Sequence, residues 1–222
     1  MGRINIDPDP DTPFNTYTVM LSLAILAGGE SERMGQDKAL KLFLGRPLIQ
    51  RVLERLARLT EEIVVTTNQP DKYTFLGLPL YPDLFPNRGA LGGLYSSLSA
   101  VHSPWMAAIA CDMPFASVAI FEYERDIIAR ENLDAVIPYG PHGTEPLHAI
   151  YRCETCLPAI RSALDSAEWR LTSWLSKVKV RYIPPAEIAE IDPLDLAFWN
   201  LNTPEEFIQA EERARQEEGE GT

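Results

Sequence analysis

Residues 19–27, V-M-L-S-L-A-I-L-A, form an unbroken apolar run that ends in Gly28-Gly29. A strand with no polar alternation is buried on both faces, so the chain has to supply packing layers above and below it. That requirement points to an α/β fold with a mainly parallel sheet. The next residues, E-S-E-R-M-G-Q-D-K at 30–38, make a polar loop with a third glycine, Gly35, and two cations, Arg33 and Lys38. Glycines let the backbone approach a ligand closely, and a loop that turns several N–H groups to one point binds anions. At the carboxyl end of a parallel strand the natural anion is a nucleotide phosphate. The spacing excludes two familiar loops. Gly29 and Gly35 enclose five residues, and Ala39 stands where a Walker loop has its hydroxyl. A G-x-G-x-x-G fingerprint is absent from the segment.

Helix-like and strand-like segments alternate beyond the loop. Leu48, Val52, Leu53, Leu56 and Leu59 share one helical face, with Arg51, Arg55 and Arg58 opposite. Strands are expected at 62–67, 105–110, 134–138 and 147–151, a short approach at 80–81, and a half-exposed edge strand at 178–183. Helices are expected at 92–101, from Ser117 to Arg130, at 154–166 and at 170–177. Thr203-Pro204-Glu205-Glu206 opens the last helix with an N-cap, a proline at the first helical position and a capping box. The rhythm describes a three-layer, Rossmann-like α/β fold with helices on both faces of the sheet. One domain is expected over 18–212, between a flexible acidic tail at 1–17 and an acidic tail at 213–222.

Composition narrows the function. A net charge of −12 and a pI near 4.7 argue against a nucleic-acid partner. No apolar run reaches the roughly 18 residues of a membrane span. The opening residues, M-G-R-I-N-I-D-P-D-P-D, do not read as a secretory signal. Three cysteines in 222 residues make no disulfide framework, so the cytoplasm is the default. Cys153-Glu154-Thr155-Cys156 lacks a second pair of ligands for structural zinc.

Two carboxylates stand out. W-M-A-A-I-A at 105–110 reads as a buried strand, and C-D-M-P follows, placing Asp112 where open α/β sheets bind ligands. One such carboxylate can hold a Mg²⁺ that keeps most of its waters and takes phosphate oxygens. Asp83 follows the approach at 80–81 and precedes a glycine-rich turn, Gly89-Ala90-Leu91-Gly92-Gly93. A carboxylate can accept from both N1–H and the exocyclic amine of guanine, and meets only repulsion at the matching acceptor of adenine.

The loop L-A-G-G-x-x-x-R-M-G-x-D-K at 26–38, taken with C-D-x-P at 111–114, resembles the molybdenum cofactor guanylyltransferase family of nucleotidyltransferases. The resemblance runs from residue 20 to residue 210, and Ala90 stands where the family has proline. It implies the nucleotidyltransferase fold and transfer of GMP from GTP to the terminal phosphate of the molybdenum–pterin cofactor. By the same resemblance Arg33, Lys38 and Asp112 are catalytic. Leu26, Ala27, Gly28, Gly29, Lys38, Asn68, Asp83, Gly93 and Asp112 contact the nucleotide, and Asp112 with Asn202 holds Mg²⁺. Glu145-Pro146-Leu147-His148 resembles the segment lining the acceptor side. His148 reads equally as a structural histidine or a substrate contact. Implied partners are GTP, the pterin cofactor and, transiently, cofactor-synthesis proteins or molybdoenzymes. Three alternatives stay open: a relative using CTP, one using another phosphorylated acceptor such as a sugar phosphate, and a nucleotide-binding protein without turnover. Gly28 favours the guanylyl reading, since cytidylyl relatives more often carry L-A-A-G.

Overall fold

The structure, a computed structural model, describes residues 19–28 and 37–220. The expected N-terminal tail at 1–17 and the loop residues Gly29 and Arg33 lie outside the described residues. Strand β1 spans Leu21–Leu26, and all six residues are buried. A short hairpin follows, β2 (Leu42–Phe43) with β3 (Arg46–Pro47), then helix α1 (Leu48–Leu56). The next elements are β4 (Glu62–Thr66), β5 (Leu80–Tyr81), α2 (Gly89–Ala100) and β6 (Trp105–Ala110). After them come α3 (Val118–Arg130), β7 (Ala135–Gly140), β8 (Gly143–Thr144), β9 (His148–Arg152) and α4 (Cys153–Asp165). The chain closes with β10 (Val180–Ile183), α5 (Pro185–Ile191) and α6 (Pro204–Glu220).

The main sheet runs β10-β7-β9-β6-β1-β4-β5, with β8 paired to β7. β1 lies between β4 and β6, parallel to both. β9 is antiparallel to its neighbours β6 and β7. Its reversal follows from the connection: too few residues join β7 to β9 for a helical crossover, which needs about a dozen or more.

Alternation along β1 shows why its sequence is apolar throughout. Leu23 and Ile25 pack with Val52, Leu56, Ile120 and Phe121 from α1 and α3. Ala24 and Leu26 pack on the other face with Leu91, Leu94 and Ile160 from α2 and α4. A third cluster seats Phe207, Ala210 and Ala214 of α6 against Phe43, Leu48 and Phe115.

Two expectations need correction. The segment 170–177 forms turns and a 3-10 turn at Leu175–Lys177 rather than an α-helix. Trp174 there is fully buried against the sheet, and its indole N–H donates to Leu171 O at 2.9 Å. Burying one large ring on the sheet does not require a regular helix. The acidic end from 213 is not a free tail: α6 continues through Glu220, Ala214 is buried, and Glu217 lies 3.6 Å from Arg55 and 4.0 Å from Arg51. The charges at this end mask a buried alanine and an ion pair to α1.

Candidate active site

All the parallel strands deliver their carboxyl ends to one edge of the sheet, and hydrogen bonds carry the order past the strand ends. Ala27 N donates to Thr66 O at 2.9 Å, and Cys111 N donates to Leu26 O at 3.2 Å. Gly28, Asn68 and Asp112 therefore leave three adjacent strands side by side, with neighbouring strands about 4.8 Å apart. Ala27 is buried and Gly28 is exposed. A Cβ added to Gly28 would meet nothing within 4 Å. Among the described residues, neither packing nor a positive φ calls for a glycine there.

Lys38 opens a 3-10 turn, Lys38–Leu40, capped by Asp37, whose Oδ1 accepts from Ala39 N at 3.2 Å. The other carboxylate oxygen of Asp37 accepts from Tyr73 Oη at 2.7 Å. Anchored in this way, Lys38 Nζ reaches Asn202 Oδ1 at 2.7 Å and Asp112 Oδ2 at 3.4 Å. Three expected site residues thus meet from segments far apart in the chain. Asn202 sits just before α6, where Thr203 and Glu206 form the expected capping box: Glu206 N donates to Thr203 Oγ1 at 3.1 Å, and Thr203 N donates to Glu206 Oε2 at 2.8 Å. Leu201 N donates to Asp112 O at 3.0 Å and ties this segment to the end of β6.

Burial pushes the Asp112 carboxyl up, and the Lys38 ammonium pulls it back down in part. Two hard oxygen donors, Asp112 and Asn202, already converge on one ammonium. That donor set suits Mg²⁺, which takes one or two protein oxygens and fills the rest of its shell with water and phosphate. Among the described residues, no group of three or more His, Cys, Asp or Glu side chains could hold a metal ion.

The residues bracing Asp112 were hidden in the sequence. Arg51 and Arg55 of α1 read as solvent-facing. Instead Arg51 Nε donates to Pro114 O and Arg55 Nε to Ala116 O, both at 3.1 Å, holding the loop after Asp112. Ser117 caps α3, its Oγ accepting from Ile120 N at 3.4 Å. Its own N–H points at His148 Nε2, 3.3 Å away. His148 is fully buried, stacked on Phe121 at 4.1 Å and edge-on to Phe198. Burial holds it down to about 3, so it stays neutral and structural rather than touching substrate. A lone histidine in a strand carries no sequence sign of such a sandwich.

On the other side of Gly28, Asn68 and Asp83 come together. Asn68 Oδ1 accepts from Asp83 N at 3.0 Å. Asp83 Oδ1 accepts from Phe85 N at 2.8 Å and from Ser96 Oγ at 2.9 Å. Gly92 is required by packing, because a Cβ there would lie 2.6 Å from Phe85 O. Gly93 faces Leu26 with ordinary clearance, 3.5 Å from an added Cβ to Leu26 Cδ2. Near the start of β9, burial and then Asp195 push the Glu145 carboxyl up to about 7. Cys153 and Cys156 start α4 and donate to Ser103 O and Asp134 O, at 3.4 and 3.3 Å. No helix among the described residues is long and apolar enough to cross a membrane.

Comparison with known proteins shows the family of the chain. The chain is 34% identical over 205 residues to a probable molybdenum cofactor guanylyltransferase of Peptoclostridium acidaminophilum, covering 90% of this chain and 92% of the relative. It is 34% identical over 190 residues to the molybdenum cofactor guanylyltransferase of Desulfosudis oleivorans, covering 84% and 92%. The crystal structure of molybdopterin-guanine dinucleotide biosynthesis protein A from Archaeoglobus fulgidus superposes with a TM-score of 0.76 at 25% identity, covering 88% of this chain and 99% of that one. A 4-diphosphocytidyl-2C-methyl-D-erythritol synthase from Anaerococcus prevotii shares the fold, with a TM-score of 0.63 at 13% identity. Residues 23–180 match the model of the MobA-like NTP transferase domain, and the chain belongs to that family.

Proposed function

We propose that this protein transfers GMP from GTP to the terminal phosphate of the molybdenum–pterin cofactor, forming the guanine dinucleotide cofactor and pyrophosphate. The observation that carries the reading is the meeting of Lys38, Asp112 and Asn202 beside Gly28, at the carboxyl edge of a parallel sheet. Relatives whose names specify this activity cover most of the chain.

An oxygen of the acceptor phosphate attacks the α-phosphorus, the bond to the bridging oxygen breaks, and pyrophosphate leaves. A phosphate nucleophile is already ionised at neutral pH, so no side chain need remove a proton. The protein's work is to position the reactants and neutralise charge. Lys38 supplies a fixed cation to the triphosphate and leaving group, and Arg33 of the loop a second. Leu26, Ala27, Gly28 and Gly29 bring backbone close to the phosphates. Asn68, Asp83 and Gly93 line the nucleoside side. Asp112 and Asn202 would hold Mg²⁺. When bound, the ion supplies charge neutralisation at the phosphate oxygens.

The acceptor's remaining contacts belong to the Glu145-Pro146-Leu147 side of the edge. Hand-over of the cofactor implies transient contact with cofactor-synthesis proteins or molybdoenzymes, and the cytoplasm is the compartment we assign. The test is to incubate the protein with the phosphorylated pterin cofactor and Mg-GTP, Mg-CTP or Mg-ATP, and to identify products by mass spectrometry. A guanine dinucleotide formed from GTP is expected. A cytosine product, or none with any nucleotide, overturns the reading.

A further inference from the structure

The two oxygens of Asp83 are in different states. Oδ1 accepts two hydrogen bonds, from Phe85 N at 2.8 Å and Ser96 Oγ at 2.9 Å. Two donors fill the two lone pairs of one carboxylate oxygen. Oδ2 has no partner among the described residues. The backbone is held as well, since Asp83 N donates to Asn68 Oδ1.

Ser96 is the centre of this arrangement. It is buried in α2, one turn beyond Gly92. Its Oγ accepts from Leu84 N at 2.8 Å and lies 2.8 Å from Gly92 O as well as 2.9 Å from Asp83 Oδ1. A hydroxyl has one proton to give, and the charged acceptor makes the stronger bond. Gly92 leaves room for this oxygen: a Cβ there would sit 3.2 Å from Asp83 Oδ1. Rotating the carboxylate would give up two charge-assisted bonds at once.

A guanine read by both carboxylate oxygens, one on N1–H and one on the exocyclic amine, needs Oδ1 free. It is not free. We propose that Asp83 reads a nucleotide through Oδ2 alone, by accepting N1–H of a 6-oxopurine, and that Ser96 is the positioning residue that imposes this. The inference rests on the nucleotide reading above and narrows it. N1–H is common to guanine and hypoxanthine, whereas adenine presents a lone pair at that atom. The site then selects 6-oxopurine nucleotides as a class and gains little from the 2-amino group.

Calorimetry with Mg-GTP, Mg-inosine triphosphate and Mg-ATP tests this on the unaltered protein. Inosine triphosphate should bind within about threefold of GTP, and ATP about tenfold or more weaker, the cost of facing an unpaired acceptor. Ser96→Ala should weaken GTP and inosine triphosphate about fivefold while leaving ATP nearly unchanged, so the preference shrinks. A general loss of structure would weaken all three alike. Ser96→Cys, which keeps a weak donor in place, should fall between the two.

Inosine triphosphate binding about tenfold or more weaker than GTP would show that both oxygens read the base, and the inference fails with the guanylyl reading intact. ATP binding as tightly as GTP would remove the guanylyl reading itself. Parent-like selectivity in Ser96→Ala would end the positioning role. Should that variant fail to fold, Ser96→Cys and the three-nucleotide comparison decide.

Discussion

Glu62 and Asp112 are both carboxylates at strand ends of one sheet, but at opposite edges. Glu62 begins β4 and Asp112 follows β6. The Glu62 carboxylate accepts from Ser22 Oγ, from His102 N and Ser103 N, and from Ser103 Oγ, with His102 Nδ1 at 2.6 Å. Burial pushes its carboxyl up, but bonds from Ser22, His102 and Ser103 outweigh it and bring the group down to about 2. At the other edge, among the described residues, Asp112 pairs with one cation, Lys38, at 3.4 Å and is pushed up by burial. A charge satisfied by the protein is a fastening. A charge held in place and left short of partners is capacity for a ligand.

That contrast predicts opposite responses to loss of charge. Asp112→Asn keeps the size of the side chain but removes the charge that offsets a cation. Turnover should fall on the order of a thousandfold, with melting temperature little changed. Extra magnesium should restore part of the rate. Superimposable magnesium titrations of variant and parent would make Asp112 structural and dissolve the contrast.

Lys38→Ala comes next. Losing one fixed cation at the phosphates should cost about 3 kcal/mol of transition-state stabilisation, or about a hundredfold in rate. Near-parent turnover at saturating GTP would show that Lys38 merely bridges Asp112 and Asn202.

At the amino edge, Glu62→Gln should leave turnover intact and cost about 2 kcal/mol of stability, as expected for several bonds to one charged acceptor. The sign follows from linkage. The folded carboxyl lies at about 2, below its usual 4.5. Its stabilisation is present above the unfolded value and is lost as acid carries the pH down through the folded one. Melting temperatures from pH 6 to pH 2 should therefore fall less in the variant. Parallel curves would mean that Glu62 contributes nothing through its charge.

The smallest effect belongs to the cysteine pair. In Cys153→Ser, Cys156→Ser each hydroxyl can still donate to Ser103 O or Asp134 O, so activity should match the parent and stability change by about 1 kcal/mol or less. One equivalent of zinc in the protein as purified would overturn that.

Much of the nucleotide edge was legible because its signals are local. An apolar strand, a glycine at its end and an aspartate closing a second buried strand each occupy a few consecutive residues. The cap at Thr203 was legible for the same reason, since the cap and its partner lie three residues apart. The β2–β3 hairpin was not. Leu42–Phe43 and Arg46–Pro47 are too short to show a period, and the turn between them relies on Leu44 at φ 49° and Gly45 at φ 81°. The roles of Arg51 and Arg55 were also invisible, because their acceptors are backbone carbonyls about sixty residues away and carbonyls leave no mark in a sequence.

The sequence by itself determined the layered α/β fold, the glycine at the end of β1 and the residue types at the site. Hydrophobic periodicity and caps are properties of neighbouring residues, and they survive without any knowledge of the partner. Only the tertiary structure decided which charges are satisfied. Lys38 finds Asn202 across 164 positions, and Asp83 loses one oxygen to Ser96 thirteen residues on. Both outcomes depend on distances of about 3 Å set by the packing of the sheet and its helices. The same chemical group, a carboxylate, can then fasten one edge of the molecule and remain open at the other.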